Sequence, residues 1–268
     1  MAKMKKNATF KRERVRKGIY LLPNLFTTGS LFCGFYSVVA SMKGDFWFAA
    51  APILMAIVLD GLDGSIARMT NTTSKFGSEY DSLSDLVAFG VAPSILAYTW
   101  ALSIYGKWGW LASFLFVVCG ALRLARFNIQ IGLVESKVFN GLPIPGAAAV
   151  VATGVLLYYY LGGEGRFNDL TILIAVVVLA LLMVSSIKYY SFKDLNFFSR
   201  KPFMSFVLIV FILIIVIAEP QIMLFTFAFG YSLSGPTWAL VKICKKAYTE
   251  WKARAARINT KRAMKRQQ

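Results

Sequence analysis

Apolar runs recur along the chain, separated by short polar segments. Most reach roughly twenty residues, the length of helix needed to cross the hydrocarbon of a bilayer. The pattern predicts spans near residues 20–41, 46–67, 80–103, 108–127, 143–161, 169–187, 203–217 and 221–240. The seventh is short, and Glu219-Pro220 marks a tight turn before the eighth. The expected fold is therefore all-α: a polytopic membrane helix bundle with a six-helix core and a C-terminal two-helix hairpin. The chain divides into a basic juxtamembrane segment (1–19), the core (20–187), a loop with two further helices (188–240) and a basic tail (241–268).

Composition supports a membrane protein: 57% of the 268 residues are hydrophobic and mean hydropathy is +0.58. A net charge of +17 first suggests nucleic acid, but the charge sits in the two tails and in short loops between apolar runs. Only Tyr248 and Trp251 interleave aromatics with it, so the tails read as topology signals and contacts to anionic membrane lipids, and no nucleic-acid partner is expected. The amino-terminal tail is a candidate interfacial helix. The run from Ile19 to Met42 is too long for a signal-peptide core and reads as a retained first helix. With the amino terminus inside, only Lys43, Lys107 and Arg166 of the 30 lysines and arginines fall outside. Both termini are thus expected in the cytoplasm. Cys33, Cys119 and Cys244 show no ligand or disulfide spacing. The absence of histidine excludes Ser-His-Asp triads and His-based acid catalysis.

Four aspartates break the apolar pattern: Asp60, Asp63, Asp81 and Asp85. They lie where one predicted span ends and the next begins, at a depth where carboxylates are expensive. The first pair is spaced i, i+3 and the second i, i+4, so each pair projects from one face of its helix. If the faces meet, four carboxylates converge and repel one another without cations. Hard carboxylate oxygens suit Mg²⁺, Mn²⁺ or Ca²⁺. Two such ions would stabilise in-line displacement at phosphorus, and Arg68 could neutralise phosphate charge. Spacing alone leaves an ion-coupled transporter as the other reading.

The window reads Asp-x2-Asp-Gly-x2-Ala-Arg-x8-Gly-x3-Asp-x3-Asp over residues 60–85. It resembles the signature of the CDP-alcohol phosphatidyltransferases at every fixed position. The resemblance implies an integral-membrane enzyme with a six-helix catalytic core, a homodimer, and two divalent cations, Mg²⁺ or Mn²⁺. The reaction implied is displacement of CMP from a CDP-linked substrate by an alcohol. By position, Asp60, Asp63 and Asp81 correspond to metal ligands and Asp85 to the general base. Gly64, Ala67, Arg68 and Gly77 correspond to CDP-binding positions, shared with Asp60. The cytoplasmic placement of the window suits an active site facing the cytoplasm, in a bacterial cytoplasmic membrane.

Three further segments resemble the integral-membrane, serine-using branch of that family, the phosphatidylserine synthases. They are Ile19–Thr27 with Gly34-Phe35, Cys119–Asn128, and Phe139–Ala148. The resemblance implies CDP-diacylglycerol as donor and L-serine as acceptor. Arg123 and Arg126, at i, i+3, are candidates for the serine carboxylate and a lipid phosphate, or else are positive-inside anchors. Asn128 either orients the amino group or is structural. Lys137 is a weaker phosphate candidate. Pro23, Asn24 and Thr27 either border the CDP site or shape a helix start. A phosphatidylglycerophosphate synthase of the same superfamily, or an archaeal-type lipid donor, fits the signature as well.

Overall fold

The computed structural model describes residues 2–70, 74–130, 138–190 and 218–265. Seven helices and one short ribbon make up these residues: α1 (Ala2–Lys43), α2 (Phe46–Thr70), α3 (Lys75–Tyr105), α4 (Lys107–Gln130), β1 (Val138–Asn140), α5 (Ile144–Tyr160), α6 (Leu170–Val184), β2 (Lys188–Tyr190) and α7 (Pro220–Lys265). The all-α expectation holds, with a three-residue antiparallel ribbon, Val138–Asn140 on Lys188–Tyr190, as the addition. The expected seventh span (203–217) and Lys137 lie outside the described residues.

Four stretches are long and apolar enough to cross a membrane: Pro23–Lys43, Phe46–Thr70, Lys75–Tyr105 and Lys107–Ile129. The protein is an integral membrane protein. α5 and α6 are apolar but shorter, because Gly162 and the polar stretch before Asp169 end one and start the other late. Helix continues unbroken across the two expected tail boundaries. α1 runs from Ala2 through the first span, and α7 runs from Pro220 into the basic tail.

α1 and α2 form a tight hairpin. Gly44, at φ 83°, closes it, with its N–H on the Ser41 carbonyl and the Asp45 N–H on the Ala40 carbonyl. A left-handed residue at this point favours glycine. The hairpin packs on α3 through small residues: a Cβ added to Gly34 would lie 2.6 Å from Ala88 Cα. Ala49, Ala50, Ile53, Ala56, Ala88, Phe89 and Ala92 are fully buried at this seam. Close backbone approach is the usual way helices gain contact inside a membrane, where burial from water contributes little.

α3 is not a uniform helix. It is α-helical over Lys75–Asp85, widens to π geometry over Leu86–Val91, and returns to α at Ala92–Ala97. Pro93 lies just after the wide turn, where its missing N–H would break an ordinary ladder. In the wide turn the Ala92 N–H reaches the Val87 carbonyl instead. The last regular α turn before this bulge ends at Asp85, so the bulge sets how that carboxylate and the residues after it face the core.

Candidate active site

The structure brings all four aspartates together at the amino-terminal end of α3. Asp60 and Asp63 project from the last part of α2, Asp81 and Asp85 from the first turns of α3. Single carboxylate oxygens of Asp60, Asp63 and Asp81 all lie within 4.8 Å of one another. Asp85 is within hydrogen-bonding reach of Asp60. Asp63 is buried and the other three half-buried.

Neighbouring helices hold this cluster by hydrogen bonds that run to its side chains and to its backbone. Thr27 Oγ1 donates to Asp63 Oδ2 at 2.7 Å and also lies 3.1 Å from the Pro23 carbonyl. Ser84 Oγ donates to the Thr27 carbonyl at 3.0 Å, tying α3 to α1 between Asp81 and Asp85. Thr28 and Tyr80 pair their hydroxyls at 3.0 Å one turn away. Ser74 caps α3, its Oγ accepting from the Gly77 N–H at 3.0 Å. A cap of this kind satisfies a donor at a helix start that would otherwise have none.

Asp81 Oδ1 is buried with no hydrogen-bond partner among the described residues. A carboxylate oxygen in that condition costs free energy unless a cation meets it. Three hard carboxylate oxygens lying this close together, on residues that include Asp81, fit a divalent ion.

Beside the cluster is a cleft of about 430 Å³, lined by Pro23, Asn24, Thr27, Asp63, Gly64, Ala67, Arg68, Ser74, Gly77, Ser78 and Asp81. Of the positions expected at a CDP site, Gly64, Ala67, Arg68 and Gly77 line this cleft together with Pro23, Asn24 and Thr27, whereas Asp60 does not. The two glycines differ. A Cβ on Gly77 would sit 3.1 Å from Ser74 Oγ and 3.4 Å from Asn24 Oδ1, so local packing restricts that position. A Cβ on Gly64 would meet only Arg68 Nη1, at an ordinary 3.6 Å. Packing does not demand glycine at 64; the open space there is the cleft. Arg68 is exposed at the rim, with Nη2 3.3 Å from Ser65 Oγ.

The expected acceptor residues separate. Arg123 turns inward: it interacts electrostatically with Asp85, and its Nε is buried with no hydrogen-bond partner among the described residues. Arg126 instead donates from Nη1 to the Val184 carbonyl at 3.1 Å and from Nη2 to the Ser185 carbonyl at 3.5 Å. It holds the carboxy-terminal end of α6, where the helix dipole favours a cation. Asn128 Nδ2 donates to Ser82 Oγ at 3.0 Å, fastening the end of α4 to the aspartate helix. Sequence reasoning did not find Ser84 or Tyr80. Their only signal is position within the window, because the partners lie over fifty residues away.

The fold thus joins a carboxylate cluster, a cleft beside it and a half-buried arginine within a helical membrane protein. Residues 20–184 match the CDP-alcohol phosphatidyltransferase family, and the chain belongs to that family of phosphotransferases. It is 42% identical over 220 residues to a CDP-diacylglycerol–serine O-phosphatidyltransferase of Helicobacter pylori (strain ATCC 700392 / 26695), covering 81% of this chain and 90% of that protein. To the enzyme of the same name from Bacillus subtilis (strain 168) it is 37% identical over 174 residues, 64% of this chain and 91% of the relative. To an archaetidylserine synthase of Methanothermobacter thermautotrophicus it is 38% identical over 170 residues, 63% of this chain and 69% of the relative.

Proposed function

We propose that the protein transfers the phosphatidyl group of CDP-diacylglycerol to the hydroxyl of L-serine, releasing CMP and leaving phosphatidylserine in the membrane. The observation that carries this reading is the convergence of the four signature carboxylates beside a cleft bounded by Gly64, Arg68 and Gly77. Similarity to serine-using relatives along most of the chain supports the acceptor.

In this reading Asp60, Asp63 and Asp81 hold two divalent cations, Mg²⁺ or Mn²⁺. Those ions supply charge neutralisation for the pyrophosphate and for the departing CMP. Gly64 lets the nucleotide approach the helix backbone, and Arg68 at the rim meets phosphate charge. Asp85 is the general base. A serine hydroxyl is a weak nucleophile, and a fixed carboxylate that accepts its proton as the oxygen attacks phosphorus contributes about 10²–10⁴-fold. Ser84 and the wide turn after Asp85 hold that carboxylate in place. Arg123, a half-buried cation that interacts with Asp85, takes the serine carboxylate and so brings the hydroxyl to the base. The bond from phosphorus to the serine oxygen forms as the bond to CMP breaks. The active site faces the cytoplasm of a bacterial cell, and the protein acts as a homodimer.

The test is purified protein with CDP-diacylglycerol and Mg²⁺ or Mn²⁺, supplied in parallel with serine or glycerol 3-phosphate. CMP and phosphatidylserine should form with serine alone. Turnover with glycerol 3-phosphate instead would keep the chemistry and overturn the acceptor. Ion flux without CMP release would replace the enzyme reading by transport.

A further inference from the structure

The family match ends at residue 184, yet α7 begins at Pro220 and packs against α5 and the ribbon. Pro236 lies inside α7 and has no N–H, so the Ser232 carbonyl lacks its usual helical donor. Tyr189 of β2 supplies one: its hydroxyl donates to the Ser232 carbonyl at 2.9 Å. The Tyr189 ring leaves no room for a Cβ on the adjoining Gly235. Helix and ribbon are therefore fixed against each other at this level, and any space between them is preformed.

Such a space exists: a groove of about 430 Å³ lined by Lys188 of β2 and by one face of α7. It follows α7 from Thr226 to Trp238, ~18 Å of helix. That is close to the hydrocarbon depth of one leaflet, about half of ~30 Å. Thr226, Gly230 and Ser234 recur at i, i+4 and give it a low floor. A Cβ on Gly230 would meet nothing within 4 Å among the described residues, so packing does not demand glycine there. Phe227 lies toward one end and Trp238 at the other, both exposed. The Trp238 end is basic. Lys188 is an exposed part of the lining, and Lys242 Nζ lies 5.8 Å from the centroid of the Trp238 ring. The bonds of Arg126 to the end of α6 and of Asn128 to Ser82 put the ribbon at the aspartate end of the bundle. The cations therefore stand at a membrane surface, where tryptophan is also favoured, and the floor runs toward the bilayer interior.

We propose that the groove between β2 and α7 binds one anionic phospholipid of the surrounding leaflet, with its chains on the Thr226–Gly230–Ser234 floor and its phosphate at Lys188. Lys242, beside Trp238, is the second cation at the mouth. Charge selects this occupant. A zwitterionic head group brings its own ammonium to two lysines, whereas a net negative one does not. A second copy of the chain would bring lysines to lysines. The cleft beside the aspartates shares no lining residue with this groove, so the two take different molecules. The bound lipid ties the carboxy-terminal helix to the ribbon.

Two variants test it. Gly230→Leu fills the floor, and Lys188→Gln removes charge while leaving the backbone pairing of Lys188 with Asn140. The purified full chain in detergent is given phosphatidylglycerol or phosphatidylcholine with the same acyl chains. Native mass spectrometry counts the lipid retained, and thermal unfolding is followed in parallel. Wild type should retain one phosphatidylglycerol per chain about tenfold better than phosphatidylcholine and melt a few degrees higher with it. Gly230→Leu should lose both the retention and the melting shift. Lys188→Gln should lose about fivefold of the preference, as for one lysine at a lipid surface. Equal retention of the two lipids by wild type overturns the proposal, as does wild-type retention in either variant. So does a KM for CDP-diacylglycerol raised tenfold in Gly230→Leu, since the groove would then hold the chains of the donor. If Gly230→Leu melts lower than wild type without lipid, Lys188→Gln alone decides. Retention is read without substrate, so a wrong acceptor leaves this result untouched.

Discussion

The donor side and the acceptor side of the site are built in different ways. In the proposed reading the donor side uses two consecutive helices, with α1 as a hydrogen-bonded backing through Thr27 and Thr28. In the proposed reading the acceptor side draws on α4, where Arg123 interacts with Asp85 while Arg126 holds the end of α6. The first is fixed by local spacing, so its residues can hardly change without losing the site. The second is assembled across the fold, where one surface can be altered while the phosphate chemistry is kept. That division suits a reaction class in which the CDP-linked part is common and the alcohol varies.

The sharpest test of the donor side is Asp85→Asn. The amide keeps the size and loses the proton acceptor. Turnover should fall by about 10²–10⁴-fold, while binding of CDP-diacylglycerol, followed by calorimetry or labelled-lipid retention, changes little. Loss of lipid binding together with turnover would make Asp85 chiefly a metal ligand.

Next in size is Thr27→Val, which preserves shape and removes the donor to Asp63 Oδ2. Groups that orient metal ligands typically cost 10–100-fold in metal affinity when removed. The activation curve for Mg²⁺ or Mn²⁺ should shift upward by about that factor, with rate recovered at high metal. A lowered rate that excess metal does not restore would place Thr27 in contact with the substrate instead.

Gly64→Ala probes the cleft without disturbing the fold, since the added methyl meets only the flexible end of Arg68. The variant should melt like wild type yet lose roughly tenfold in CDP-diacylglycerol affinity, about 1.4 kcal/mol. Unchanged affinity would move the nucleotide to another wall of the cleft.

Most of the donor side was legible before any coordinates. The i, i+3 and i, i+4 spacings place each aspartate pair on one helix face, and the structure brings the faces together. Thr27 was legible as a border residue, although its hydrogen bond to Asp63 was not. The acceptor side resisted because its determinants are relations between distant segments. Arg123 and Arg126 share a helix face, and spacing cannot tell which meets Asp85 and which meets the carbonyls of α6. The Tyr189 hydroxyl donates to the Ser232 carbonyl, which Pro236 four positions on leaves without its helical donor, and no local pattern announces that. The wide turn after Asp85 is hidden for a similar reason, since a proline in an apolar run predicts a kink and does not specify π geometry.

The smallest effect tests where the acceptor site stops. Arg126 and Arg123 are one helical turn apart and of equal charge, yet the hydrogen bonds of Arg126 go to the Val184 and Ser185 carbonyls. If its role is to hold the end of α6, Arg126→Gln should lower stability by about 1 kcal/mol, the net worth of a hydrogen bond in a partly exposed place. The melting temperature in detergent should fall by a few degrees while the serine KM stays within about twofold. A serine KM raised tenfold at unchanged melting temperature would bring Arg126 into the pocket. The pair of arginines would then clasp one carboxylate, and the Arg126 contacts to α6 would be a resting arrangement released on binding. Arg123→Gln in the same assay sets the scale: if the inward arginine alone carries the acceptor, its loss must exceed that of Arg126 by at least an order of magnitude in serine KM.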